Sequence, residues 1–267
     1  MSRRISRLED ALGLALFERG HAGVRLTAGG KSVMLHVRRA LAELDAVKRS
    51  GIENSSGDVG EIQLGVRLPP IGEPIVSLLG EWREKHPNVM LVVSEMNDRD
   101  LAAALEGRRL DVALTFRHTV LRHTESVPLY WDRLLAAVPA GHTLAEQPIV
   151  NWDALRSEII LVQGWEESQA ARELYASFLG GGAMFRSHAA SKQSVLALVC
   201  AGFGITFTTA SQSKTAFPGV VFKPIDDPNA SIQIVLTWLP QLEDATVGRL
   251  VAFLRDEARS RRLISPS

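Results

Sequence analysis

The sequence predicts an α/β protein in three successive parts: a short basic helical segment, one long helix, and a body built as two similar lobes. Three observations carry this. Residues 1–50 hold ten Lys and Arg against five Asp and Glu, so a chain of zero net charge divides into a basic arm and an acidic body. Within that arm Val33, Val37, Ala40, Leu44 and Val47 alternate by four and three, the narrow seam of a helix that pairs along its length. After residue 58, apolar runs of strand length alternate with helical patterns, which implies parallel crossovers.

Composition sets the outer bounds. With 267 residues, 46% hydrophobic and 22% charged, the chain is long enough for two domains or one bilobal one. Its single cysteine, Cys200, excludes an internal disulfide and fits a reducing cytoplasm. No apolar run approaches the ~18 residues of a membrane span, and no signal-like core follows the basic start. The expectation is a soluble cytoplasmic protein without membrane contact.

Taken in order, Ser2 to Gly13 reads as a helix with Ile5, Leu8 and Leu12 on one stripe and Arg3 and Arg7 opposite it. One face should pack while the other presents guanidinium groups. Leu16 to Gly20 and Val24 to Thr27 read as a small ribbon, with Arg19, His21 and Arg25 around its tip. A basic helix beside a basic ribbon suits a nucleic-acid duplex: cations neutralise phosphates, and Arg also bonds base edges. Thr27 is placed to cap the next helix. From Thr27 to Ser50 that helix would be roughly 36 Å long at about 1.5 Å per residue. Gly51 to Gly60, with Asn54-Ser55-Ser56-Gly57, is a turn-rich hinge.

The body then alternates. Ile62 to Val66 is a strand, Ile75 to Trp82 a helix, Val89 to Val93 a strand apolar on both faces, Leu101 to Leu105 a helix, and Val112 to Phe116 a third strand. Leu134 to Val138 leads out of this lobe. A second lobe repeats the scheme: strand Ile159 to Val162, helix Ser168 to Leu179, an extended Phe185 to His188, helix Val195 to Ala201, strand Ile205 to Thr208. Val220 to Phe222 and Ile232 to Trp238 are later strands returning toward the first lobe, and Val247, Leu250, Val251 and Leu254 mark a closing helix. Ligands in such sheets sit beyond the carboxyl ends of strands.

Ser2-Arg3-Arg4-Ile5-Ser6-Arg7-Leu8-Glu9, Leu12-Gly13, Leu16-Phe17-Glu18-Arg19, Val24-Arg25-Leu26-Thr27 and Gly30 together resemble the winged helix-turn-helix of the LysR-type bacterial transcriptional regulators. Asp111-Val112-Ala113-Leu114, Val138-Pro139 with Gly141 to Ala145, and Ala201-Gly202-Phe203-Gly204-Ile205 resemble, more weakly, the effector domain of the same family. The resemblance implies a partial winged helix-turn-helix over residues 1–26, entered inside the recognition helix and so shortened at its amino end. It implies a dimerisation linker over 27–53 and a bilobal periplasmic-binding-protein-like effector domain over 58–267. Lobe one would take about 58–138 and 239–262, lobe two 139–238. Implied partners are double-stranded DNA, a small-molecule effector, and further copies of the chain as a homodimer or homotetramer. The DNA-side residues would be Ser2, Arg3, Arg7, Arg19 and Arg25. The rival readings are a ligand-binding or dimerising module without DNA binding, and an enzyme on a bilobal scaffold.

No motif supports catalysis. Gly30-Lys31-Ser32 lacks the earlier glycine and the strand of a phosphate-binding loop, and Gly202-Phe203-Gly204 joins a helix to a strand, the reverse of a dinucleotide turn. Gly-x-Ser-x-Gly, His-Glu-x-x-His and Cys-x-x-Cys are absent, and the histidines are scattered singly, as surface or helix-end residues are. The expectation is no catalytic residue, no metal and no cofactor, with Cys200 in the core. Position alone nominates the cleft: Arg67 and Leu68 after the first strand, Phe116 and Arg117 after the third, Gln163 and Trp165 after the first strand of lobe two. Ser191, Lys192 and Gln193 open a helix whose free N–H groups favour an anion, and Thr206 and Thr208 lie on the next strand. Two or more of these cations should converge on a small carboxylate, beside an apolar wall from Trp165 or Phe116.

Overall fold

The computed structural model describes residues 3–20, 23–50, 59–67, 72–119, 123–164, 170–240 and 244–265. Ser2, Leu68, Trp165 and most of the expected hinge therefore lie outside the described residues.

Helix α1 (Arg3–Leu12) is followed by the antiparallel ribbon β1 (Phe17–Gly20) and β2 (Gly23–Leu26). Glu9 joins helix to ribbon, its Oε1 accepting from the N–H groups of Leu16 at 2.7 Å and Phe17 at 3.2 Å. Thr27 caps α2 (Ala28–Ser50) as its sequence position predicts, its hydroxyl accepting from the Gly30 amide at 2.8 Å. Gly30 itself is required there: a Cβ would stand 2.1 Å from the Leu16 carbonyl oxygen. The expected packing of α1 is not observed. Leu8 and Leu12 are 45% and 43% exposed, Ile5 is only half-buried, and no residue of α1 is fully buried.

The first lobe is built on three parallel strands, β4 (Val89–Glu95), β3 (Gly60–Val66) and β5 (Val112–Phe116), in that spatial order. Helices α3 (Ile75–Lys85) and α4 (Asp98–Glu106) make the two crossovers. Strand β6 (Glu125–Pro139) leaves the lobe, and it joins this sheet through residues 231–238, which pair antiparallel with both β5 and β6. In the second lobe follow α5 (Trp152–Arg156), β7 (Ile159–Gln163), α6 (Ala170–Leu179), β8 (Met184–His188), α7 (Lys192–Cys200), β9 (Thr206–Thr209) and β10 (Val220–Pro224). Strand β11 (Ser231–Trp238) and helix α8 (Ala245–Ser260) complete the chain. Helix α8 packs on α3, with Phe253 against the fully buried Trp82 and Arg261 bonded to Ser77, Glu81 and Glu257.

Three further expectations are corrected. Strand β6 begins at Glu125, nine residues before the expected Leu134. Its first half contains Pro128 and a bulge that leaves Leu129 unpaired opposite Ile234 and Val235, which blurs the period-two signal. The lobe boundary also moves. Residues 231–238 pair with β5 and the first half of β6, so they belong to the first sheet, whereas Leu134 to Pro139 pair with β9 and β10 of the second. Strand β6 thus spans both lobes. Cys200, expected in the core, is exposed, because the buried face of α7 runs through Val195, Leu196 and Val199 and turns away before it.

Candidate functional site

The carboxyl ends of strands from both lobes converge where β6 passes between them. β3 delivers Arg67, β5 delivers Phe116 and His118, β7 delivers Gln163, and β9 supplies Thr208 and Thr209. Leu174 and Tyr175 of α6, Phe207, and Lys192 at the start of α7 close the space. Arg67 and Gln163 also border a wider outer chamber with Glu95, Met96, Asn97, Asp100, Gly164, Ala190 and Ser191. The two chambers are one cleft with an aromatic interior and a polar entrance.

Two cations are shut inside it. Arg67 is 5% exposed, and its Nε stands 3.0 Å from Asp98 Oδ1, an ion pair rather than an aligned hydrogen bond. Lys192 is 7% exposed, and among the described residues it meets no carboxylate. Its Nζ donates to Thr206 Oγ1 at 3.2 Å and to the Phe207 carbonyl. Thr206 donates its own proton to the Leu161 carbonyl at 2.7 Å, which leaves its lone pairs for the ammonium group. Burial, and then the neighbouring Arg67 charge, lower the Lys192 pKa to about 7. Two buried basic groups with one carboxylate between them leave Lys192 without a counter-charge whenever it is protonated.

The wall is aromatic and dry. Tyr175 and Phe207 rings stand 4.8 Å apart, and Phe116 stacks on His118 at 5.3 Å. Burial pushes the Tyr175 hydroxyl up to about 12. It also holds His118 below its ordinary range, ahead of the opposing pull of Asp98, so the imidazole is neutral at pH 7. Among the described residues, buried His118 Nε2 has no hydrogen-bond partner.

Among the residues nominated from sequence, Arg67, Phe116, Gln163, Lys192 and Thr208 line the cavity, and Ser191 lines its entrance while capping α7 through the Ser194 amide at 3.2 Å. Thr206 is fully buried and acts behind Lys192. Arg117 and Gln193 are exposed and line neither chamber. The Arg117 guanidinium lies along β11, bonded to Gln233 Oε1 at 3.2 Å, because consecutive residues after a strand point to opposite sides. Four contributors were missed. His118, expected at the surface, lies two residues beyond β5 on the side of Phe116. Asn97 and Asp98 follow β4, and the strand-end rule applied to β3 and β5 nominates them equally well. Tyr175 carries no local signal.

At the amino-terminal end Arg3 and Arg7 stand exposed on α1, and Arg25 stands exposed on β2 opposite Glu18. Arg19 lies on β1 opposite Val24, and its side chain is outside the described residues. No helix among the described residues is long and apolar enough to cross a membrane, and no described group of His, Cys, Asp or Glu could hold a metal ion.

Comparison with known proteins assigns both regions. Residues 55–259 match the LysR substrate binding domain, and residues 1–31 match the bacterial regulatory helix-turn-helix protein family of the lysR type. The chain is 27% identical over 259 residues to the uncharacterized HTH-type transcriptional regulator YnfL of Escherichia coli K12, covering 93% of this chain and 85% of that protein. In fold it is similar to full-length CbnR complexed with its target DNA, at a TM-score of 0.65 and 23% identity over 96% of this chain and 88% of that one. The BenM effector binding domain with its effector benzoate aligns at a TM-score of 0.62 and 22% identity, over 77% of this chain and 95% of that one.

Proposed function

The chain belongs to the LysR family of bacterial transcriptional regulators, and from that premise we propose that its inter-lobe cavity binds a small carboxylate that controls how its amino-terminal segment meets DNA. The observation that carries this reading is Lys192. A cation buried without a carboxylate is costly, and a bound anion relieves that cost. The amino end of α7 adds its dipole in the same direction. Phe116, Tyr175 and Phe207 supply the apolar wall for the body of the ligand. The recorded effector of BenM, benzoate, has this character of a carboxylate on an apolar ring.

On the other side, Arg3, Arg7 and Arg25, with Ser2 and Arg19, form the DNA-facing set. CbnR, similar to this chain along nearly its whole length, is a LysR regulator that binds target DNA. Helix α2 leaves Val37, Leu41 and Leu44 exposed at 40%, 56% and 58%, and we read that seam as the pairing surface of a second copy. The protein is then a cytoplasmic homo-oligomeric regulator without an enzymatic role. Effector binding between the lobes alters how the subunits pair, and with it the spacing of the DNA-binding segments.

The test is calorimetric titration with a panel of small carboxylates beside the matched primary amides. Carboxylates are expected to give heat and saturation while their amides give none. Equal binding of acid and amide overturns the reading.

A further inference from the structure

The inner and outer chambers differ in charge, and the difference restricts the ligand further. Two helix amino termini face the cleft. That of α4 is already occupied by its own carboxylates, Asp98 and Asp100 in the first turn, with Asn97 as the cap. That of α7 has no acidic residue in its first turn and carries Lys192. Arg67, which borders both chambers, is ion-paired with Asp98. His118 is neutral at pH 7. Inside the cleft, therefore, Lys192 is the one basic group without a carboxylate among the described residues, and a bound anion would hold its proton. The entrance is lined by Glu95 and Asp100, and among the described lining residues it has no cation except the engaged Arg67.

We propose that the site takes monocarboxylates and rejects dicarboxylates of the same length, with the outward end of the ligand neutral or cationic. This rests on the small-carboxylate reading of the cavity. The carboxylate meets Lys192, the apolar body lies between Phe116, Tyr175 and Phe207, and the far end emerges past Gln163 toward Glu95 and Asp100. A second carboxylate there finds two like charges and, among the described lining residues, no free cation. An ammonium group at the same position finds two carboxylates.

The experiment is competition calorimetry on the full chain with para-toluate, para-aminomethylbenzoate and terephthalate, alongside para-toluamide. Terephthalate is expected to bind about tenfold or more weakly than para-toluate, and para-aminomethylbenzoate at least as tightly as para-toluate. In a Glu95→Gln, Asp100→Asn double variant the ratio between toluate and terephthalate should shrink severalfold. Terephthalate binding as tightly as toluate, while the amide does not bind, overturns the monoanion inference and leaves the carboxylate reading standing. A discrimination unchanged in the double variant also overturns the inference. Equal binding of toluate and toluamide, or no binding by any of the four, overturns both.

Discussion

Arginine is used in opposite ways at the two ends of this molecule. On α1 and β2, Arg3, Arg7 and Arg25 stand in solvent on a segment whose described residues include one buried apolar side chain, Leu16. In the cleft, Arg67 is enclosed against Asp98, beside a lysine that burial has brought near neutrality. An exposed cation attracts any phosphate within a Debye length and costs the fold nothing. An enclosed one is a constraint on the fold, and it recognises only what can reach it. The first arrangement suits a long polyanion met in many registers, the second a small anion met in one.

The same substitution made in both regions tests that contrast. Arg67→Ala removes the buried cation facing Asp98 and should cost about 3 kcal/mol of stability, whereas Arg3→Ala should change it by about 0.5 kcal/mol or less. Urea melts of the two variants decide it, and similar midpoints would erase the distinction. That loss is the largest effect expected.

Lys192 sharpens the comparison because its effect reverses with pH. Its pKa falls from 10.5 to about 7 on folding, so between those values the unfolded chain holds more protons than the native one. Native stability at this site therefore rises with pH from about 7 toward 10.5, and the full burial penalty applies below 7. Lys192→Met should be more stable than the natural chain at neutral pH and below, with the advantage shrinking toward pH 10. A bound carboxylate acts oppositely, raising the pKa and holding the proton. Carboxylate affinity of the natural chain should fall as pH rises above about 7, and Lys192→Met should bind carboxylates weakly at every pH. Thermal melts and titrations across pH check both signs. A variant less stable than the natural chain at pH 6 would show that Lys192 is held charged by something else.

How much of this was legible in sequence differs between the regions for a physical reason. Local patterns place α1, the ribbon, the Thr27 cap and the alternating strands correctly, because periodicity and capping are set by neighbours in the chain. The cleft was half legible. Strand ends nominate Arg67, Phe116, Gln163 and Thr208, and the α7 terminus nominates Ser191 and Lys192. The same logic puts Arg117 in the cleft, where the structure turns it toward Gln233. It passed over Asp98, although β4 ends three residues before it. Tyr175 and Phe207 meet only through tertiary packing, and nothing local in either residue announces a wall. Likewise no sequence pattern says that His118 Nε2 ends without a partner among the described residues.

The smallest effects lie on the exposed side, and they separate two ways of meeting DNA. Arg3 lies near the start of α1, and if it bonds a base edge, Arg3→Ala should cost about 1–3 kcal/mol on the operator and relax specificity at one base pair. Arg25 lies on the ribbon with Glu18 as its cross-strand neighbour. We propose phosphate contact for it: Arg25→Ala should weaken operator and scrambled duplex alike and reduce the salt-dependence slope by about one. Fluorescence anisotropy against upstream DNA and a scrambled duplex at several salt concentrations reads both variants together. If Arg3→Ala instead weakens both duplexes equally, Arg3 joins Arg25 on the backbone, and base reading passes to Arg7 on the next turn of α1. If Arg25→Ala leaves the salt slope unchanged, Glu18 already neutralises it and the ribbon holds its place by shape.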